Sequence, residues 1–220
     1  MGIEMTQALI FGSAPCGDPA GLRPYLERGA WTVFCADGGV RNARAAGLQP
    51  DFLIGDWDSG GAPEEGIPCI SLPVEKDKTD LQAAAEQAMS MGCRELLLCG
   101  CTGGRLDHTA SNLALLEWIA RRGGRAMIVD EDNEARYLDS EALLLDNVPP
   151  YRYLSLVPLD RSITGVTLRN VKYPLEDAVL TRGDTFSVSN EPGGPRQEIV
   201  IGSGRVLLLR SVRLDRLSGA

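Results

Sequence analysis

Two aspartates, Asp56 and Asp58, stand two residues apart in Gly55-Asp56-Trp57-Asp58-Ser59, directly after the apolar run Phe52-Leu53-Ile54. On an extended segment, side chains at i and i+2 share a face. Both carboxylates can therefore reach one cation, although an Asp/Ser turn is the plainer reading of the same residues. Four further acidic signatures occur: Ala36-Asp37-Gly38-Gly39, Lys76-Asp77-Lys78-Thr79-Asp80, Gly103-Gly104-Arg105-Leu106-Asp107-His108 and Asp130-Glu131-Asp132. Most follow a short apolar run, which in an open α/β sheet is the carboxyl end of a strand, where ligand crevices form. Carboxylates gathered at one crevice repel each other unless a cation joins them. Hard oxygen donors of this kind suit Mg²⁺, with substrate phosphates completing its shell. The first expectation is a metal-dependent enzyme acting on a nucleotide phosphate.

The other motifs each carry two readings. Thr79 is a good helix N-cap and Asp80 a good first-turn residue. The same helix N-terminus offers N–H groups to a phosphate, with Asp80 adding a metal contact. Lys76 and Lys78 are either solvated lysines or counter-charges for phosphate. Gly103 and Gly104 let the backbone approach a ligand closely. Arg105 offers a fork of donors suited to phosphate oxygens. His108, the only histidine, either packs at a helix start or contacts a phosphate or base. Neither a Walker lysine-serine pair nor a full dinucleotide fingerprint is present. Gly38-Gly39 after Asp37 is a tight βα connection or a second place of close ligand approach.

These residues need elements to hold them. Ala8–Phe11, Trp31–Cys35, Asp51–Ile54, Ile67–Leu72, Glu95–Cys99 and Arg125–Val129 read as strands. Helices are expected over Val40–Ala46, Thr79–Met91 and His108–Arg122, stopped by Gly47, Gly92 and Gly123-Gly124. This β-then-α rhythm predicts a mostly parallel, Rossmann-like sheet flanked by helices. After about residue 132 helical periodicity disappears. Short strand-like runs follow at Ala142–Leu145, Tyr153–Val157, Gly165–Leu168, Thr185–Ser189, Gln197–Ile201 and Val206–Leu209, separated by Pro/Gly/Asn turns. That is the pattern of a small antiparallel β sandwich or barrel. Two domains are expected, 1–132 and 133–220.

Composition narrows the classes. An apolar fraction of 44% and a charged fraction of 24% are ordinary for a globular protein. A formal net charge of −8 argues against broad affinity for nucleic acid or anionic membranes. No apolar run approaches the roughly 20 residues of a membrane span. Met1–Gln7 lacks a basic segment followed by an apolar core, so a cytoplasmic protein is the default expectation. The six cysteines include Cys99-Gly100-Cys101, whose spacing fits neither a zinc knuckle nor a two-residue redox loop. Reduced and mostly buried thiols are expected.

The ordered set ADGG, GDWDS, DKTD, GGRLDH, TGVTLRNVKYPL and FSVSNE resembles the thiamine pyrophosphokinase family over nearly the whole length. The resemblance implies an α/β catalytic domain, a β sandwich, and a homodimer with active sites between subunits. It implies transfer of a pyrophosphoryl group from ATP to the hydroxyl of thiamine, giving thiamine diphosphate and AMP. Asp56, Asp58 and Asp80 would hold Mg²⁺ and the ATP phosphates, with Asp37, Lys78 and Thr79 lining the same site. Gly103, Gly104, Arg105, Asp107 and His108 would form the nucleotide and phosphate region. Ser187, Ser189 and Asn190 match the family's thiamine-side SxSN segment. Tyr173 stands where some relatives carry a tryptophan wall for thiamine, and Trp57 where phenylalanine is common.

Under that resemblance Mg²⁺ would bridge phosphate oxygens. Arg105 and nearby lysines would take the remaining charge, and one carboxylate of the cluster would accept the hydroxyl proton. A cationic acceptor suits an acidic, aromatic-lined pocket. Two rival readings remain open at this point: a pyrophosphokinase for another alcohol such as a hydroxymethyl-pterin, and a nucleotide-binding sensor without turnover.

Overall fold

The computed structural model describes residues 7–56, 66–72, 77–147 and 151–212. The chain divides into two compact units, Met1–Glu131 and Asp132–Ala220.

The first unit holds six parallel strands among its described residues: β1 (Gln7–Phe11), β2 (Thr32–Ala36), β3 (Phe52–Gly55), β4 (Cys69–Ser71), β5 (Glu95–Cys99) and β6 (Arg125–Val129). Their order is β4-β3-β2-β1-β5-β6. The chain thus starts in the middle, builds outward on one side, then returns to build on the other. The reversal falls between β1 and β5, which pair in register from Gln7↔Glu95 to Phe11↔Cys99. Sheets covered on both faces need continuous apolar strands. Ala8–Phe11, Val33–Ala36 and Leu96–Cys99 are accordingly all buried.

Four α-helices lie among its described residues: α1 (Arg23–Leu26), α2 (Val40–Ala45), α3 (Asp80–Ser90) and α4 (Leu106–Ala120). The alanines of α3 explain its close seat against β1, β2 and β3. Ala84, Ala85 and Ala88 are fully buried, and small side chains bring the helix backbone near the sheet. Thr79 Oγ1 accepts from Gln82 N at 3.3 Å and caps α3, and Gly92 ends it at φ +97. No side chain caps α4, yet it starts at Leu106, two residues before the expected start, with Asp107 Oδ1 accepting from His108 N. The four-residue α1 carries no periodic signal and was not foreseen; it buries Tyr25. No helix among the described residues is long and apolar enough to cross a membrane.

The second unit is antiparallel throughout. β7 (Asn133–Asp139), β13 (Arg205–Ser211) and β9 (Tyr153–Pro158) form one layer in the order β7-β13-β9. β11 (Leu175–Thr181), β10 (Ser162–Arg169), β12 (Arg196–Val200) and β8 (Ala142–Asp146) form a second, in the order β11-β10-β12-β8. Both layers feed one core, in which Leu154, Leu156, Val206 and Leu208 meet Ile163, Val166, Leu168 and Ile199.

β7 and β11 were not foreseen, and the strand expected at Thr185–Ser189 is a turn. Val188 N donates to Thr185 O, the buried Ser187 Oγ donates to Leu156 O at 2.7 Å, and Ser189 sits at φ +63. A left-handed residue breaks the ladder, and only an isolated bridge, Leu154↔Asn190, survives.

All six cysteines are free thiols, and five are buried. Burial pushes the Cys16 and Cys35 thiols up to about 12, which makes them poor nucleophiles.

Candidate active site

The carboxyl ends of β1, β2, β3 and β5 open on one cavity of about 350 Å³ in the first unit. This is the end of the sheet, and the point of strand reversal, at which α/β proteins bind ligands. Gly12, Ser13 and Ala14 follow β1; Asp37 follows β2; Asp56 follows β3; Gly100, Cys101 and Gly103 follow β5. Lys78 and the start of α3 (Thr79, Asp80, Leu81) form another wall, and His108 and Asn112 of α4 a further one.

Seven residues expected from the sequence therefore line this one cavity: Asp37, Asp56, Lys78, Thr79, Asp80, Gly103 and His108. Asp37 holds a left-handed backbone at φ +48, rare for a residue with a side chain. Such conformations cluster where surrounding structure over-determines them. Here the next turn residues pack hard against β1, because a Cβ at Gly39 would meet Phe11 O at 2.0 Å. Lys78 Nζ pairs with Glu86 Oε2 across one face of α3.

Three expected residues, Gly104, Arg105 and Asp107, do not line the cavity. Arg105 and Asp107 face solvent as a two-point pair, with Nη2 to Oδ2 at 2.6 Å and Nε to Oδ1 at 3.1 Å. The Arg105 hydrogen bond is the main cause holding the Asp107 carboxyl down at about 2. Gly104 sits at φ +65 with open space around it. The acidic run at Asp130 also contributes no lining residue; Asp130 Oδ2 instead accepts from Thr102 Oγ1 at 2.6 Å. Asp58 and Lys76 lie outside the described residues.

Sequence reasoning missed Gly12–Ala14, Leu81, Gly100, Cys101 and Asn112 as lining residues. The signal for the first group was present, since Gly12-Ser13-Ala14-Pro15 follows an apolar strand just as Asp37 and Asp56 do. Gly12 and Gly100 touch closely enough that a Cβ on Gly12 would lie 2.5 Å from Gly100 O. Asn112, buried in α4, donates its amide to Cys101 O at 2.7 Å and fixes the β5 loop from below.

The donor set fits Mg²⁺. Mg²⁺ keeps several waters and takes only one or two protein carboxylates beside substrate phosphates, and Asp56 and Asp80 line one cavity with Asp37. Among the described residues, no group of three or more His, Cys, Asp or Glu side chains is placed to hold a metal ion.

In the second unit the expected thiamine-side residues occupy one neighbourhood of their own. Asn190 is buried; its Oδ1 accepts from Tyr173 N at 3.0 Å and its Nδ2 donates to Tyr173 O at 2.7 Å. This clasp presents the Tyr173 ring outward, 59% exposed, with Lys172 Nζ 5.3 Å from its centroid. Ser189 N donates to Ser155 Oγ at 2.9 Å.

Comparison with known proteins agrees on one family. A family model described as thiamin pyrophosphokinase, catalytic domain, matches residues 24–128. A second, described as thiamin pyrophosphokinase, vitamin B1 binding domain, matches residues 143–206. The thiamine pyrophosphokinase of Bacillus subtilis (strain 168) is 29% identical over 206 residues, which cover 89% of this chain and 95% of that protein. A crystal structure of thiamine pyrophosphokinase from Bacillus subtilis superposes with a TM-score of 0.84 at 25% identity, covering 95% of this chain and all of that one. The thiamin pyrophosphokinase structure from Geobacillus thermodenitrificans gives 0.83 at 29% identity, covering 96% and 99%. With models of both its domains matched in order along the sequence, the chain belongs to the thiamin pyrophosphokinase family of enzymes.

Proposed function

We propose that this chain transfers a pyrophosphoryl group from ATP to the hydroxyl of thiamine, with Mg²⁺, giving thiamine diphosphate and AMP. The observation that carries the reading is that Asp37, Asp56 and Asp80 line one cavity together with the N-terminus of α3, in a chain of this family. In this reading the first unit binds the nucleotide. The second, which we read as a β sandwich, supplies Tyr173, Ser187, Ser189 and Asn190 on the thiamine side. A homodimer with active sites between subunits belongs to the same proposal.

The hydroxyl oxygen of thiamine attacks the β-phosphorus of ATP. The bond from that phosphorus to the bridging oxygen breaks, and AMP departs with the electron pair. Such a transfer asks the protein for alignment and charge neutralisation more than for covalent help. Asp56 and Asp80, with Asp58 in its sequence-matched role, would hold Mg²⁺, which when bound would supply positive charge to the phosphate oxygens. The first-turn N–H groups of α3 and the glycine loops after β1 and β5 offer further donors to phosphate. Lys78, which lines the same cavity, adds a cation when it leaves Glu86. The hydroxyl proton passes to a carboxylate of the wall. Arg105 is freed for a phosphate by exchanging Asp107 for it, a small cost for so exposed a pair.

The test is direct. Protein incubated with ATP, Mg²⁺ and thiamine should yield thiamine diphosphate and AMP by mass spectrometry, and no product when Mg²⁺ is chelated. Product with hydroxymethyl-dihydropterin in place of thiamine would assign another acceptor. Nucleotide binding without AMP from either alcohol would make the protein a sensor.

A further inference from the structure

Asn42 stands on α2, outside the cavity wall, yet its amide reaches two carbonyls of that wall. Nδ2 donates to Gly12 O at 2.7 Å and to Ala14 O at 2.7 Å, contacts 30 and 28 residues away in sequence. Both acceptors are backbone oxygens, so the nitrogen end of the amide must face them. Both of its hydrogens are thereby committed.

The same point joins a third element. Gly12 N donates to Cys99 O at 2.8 Å and Ala14 N to Gly100 O at 3.0 Å, which stitches the β1 loop to the β5 loop. Gly100 lies at φ +62, and a Cβ there would meet Asn42 Nδ2 at 2.5 Å and the oxygens of Gly12 and Ala14 at 2.7 Å. The amide therefore sits against a glycine that leaves room for nothing larger. α2 itself begins directly after the Asp37–Gly39 turn, so one side chain ties together the loops after β1, β2 and β5.

A planar trans peptide points its C=O and the next N–H in opposite directions. Holding Gly12 O toward Asn42 turns the Ser13 N–H away from Asn42, on a loop that lines the cavity. We infer that Asn42 is a positioning residue for the nucleotide: without touching ligand, it fixes the Gly12–Ala14 loop in the conformation that meets the ATP phosphates. The inference rests on reading this cavity as the nucleotide site.

Removing the amide strands two carbonyls and loosens a loop whose placement governs phosphate contacts. In Asn42→Ala, assayed at a temperature where circular dichroism shows it fully folded, affinity for Mg²⁺-α,β-methylene-ATP by calorimetry should fall about tenfold, with a matching rise in the KM for ATP. The KM for thiamine should change less than about twofold. Asn42→Ser, which keeps one donor, should fall between Ala and wild type, and serves as the measured variant if Ala does not fold. A role in stability alone would lower the melting temperature while leaving both KM values in place, and that result overturns the inference. Equal losses for ATP and thiamine also overturn it. If wild type binds the analogue but makes no thiamine diphosphate, the functional reading fails and the calorimetric comparison alone decides Asn42. If wild type binds no nucleotide, both fall.

Discussion

A Cβ at Gly39 would lie 2.0 Å from the carbonyl oxygen of Phe11, so the turn carrying Asp37 rests directly on the end of β1. Backbone cannot yield there as a flexible side chain would. Gly39→Ala should therefore lift the turn from the strand, destabilising the protein by about 1–3 kcal/mol in urea unfolding. Because Asp37 moves with the turn, kcat/KM should drop at temperatures where the variant remains folded. Unchanged activity in a folded Gly39→Ala protein would separate Asp37 from the chemistry.

Asp56 and Asp80 should behave differently from core residues. Both are only half-buried, and asparagine keeps their shape. Asp56→Asn and Asp80→Asn should each lower kcat by about a hundredfold or more, with melting temperatures close to wild type. A titration of activity against Mg²⁺ checks the role: the variants should need more Mg²⁺ for half-maximal rate. An identical Mg²⁺ dependence would remove them from the metal.

The acceptor side offers a pair with opposite expectations. Ser187 Oγ spends its proton on Leu156 O inside the second unit, so Ser187→Ala should cost about 1–3 kcal/mol of stability by leaving that carbonyl unpaired. Tyr173 projects outward, so Tyr173→Ala should change stability by less than about 0.5 kcal/mol. Its effect should appear instead as a rise of about tenfold in the KM for thiamine, from the lost cation–π face. Competitive kinetics with thiamine and denaturation curves on the same samples separate the two.

Glu134 and Arg210 form a fully buried pair on neighbouring strands, with Nη2 to Oε2 at 2.6 Å, and Arg136 Nε joins at 2.7 Å. Burial alone would raise the Glu134 pKa, but Arg136 and Arg210 outweigh it and hold the carboxyl well below its ordinary 4.5. A carboxyl depressed by folding contributes stability above its unfolded value, and that contribution fades as pH falls below about 4.5. Glu134→Gln should cost about 3–5 kcal/mol near neutral pH, because Arg210 stays buried without its counter-charge. The penalty should shrink as the pH is taken below 4, which denaturation curves at several pH values would reveal. A penalty independent of pH would place its origin in packing.

The parallel half of the fold was legible because its strands are unbroken apolar runs closed by Gly or Asp, and α3 announces itself with Thr79 and Gly92. The same logic brought Asp37, Asp56 and Asp80 to one place. β7 stayed hidden because the charged Glu134 and Arg136 interrupt its apolar run, and the buried charge of Glu134 is answered by Arg210, 76 residues away. Thr185–Ser189 looked like a strand by composition, but Ser187 bonds inward and Ser189 turns left-handed. Arg105 seemed aimed at phosphate, yet Asp107 two residues on captures it. Asn42 was invisible for a different reason: its partners are main-chain oxygens, and those carry no residue type to read.

Asp37, a residue of the cavity lining, holds a backbone shape that glycine would take at little expense. Replacing it with glycine should relieve that tension and hold or raise the melting temperature while turnover falls. At this one position, then, selection for robustness and selection for catalysis pull on the sequence in opposite directions. Variants hardened by directed evolution under heat alone should drift away from aspartate at position 37, and variants evolved under demand for the product should keep it.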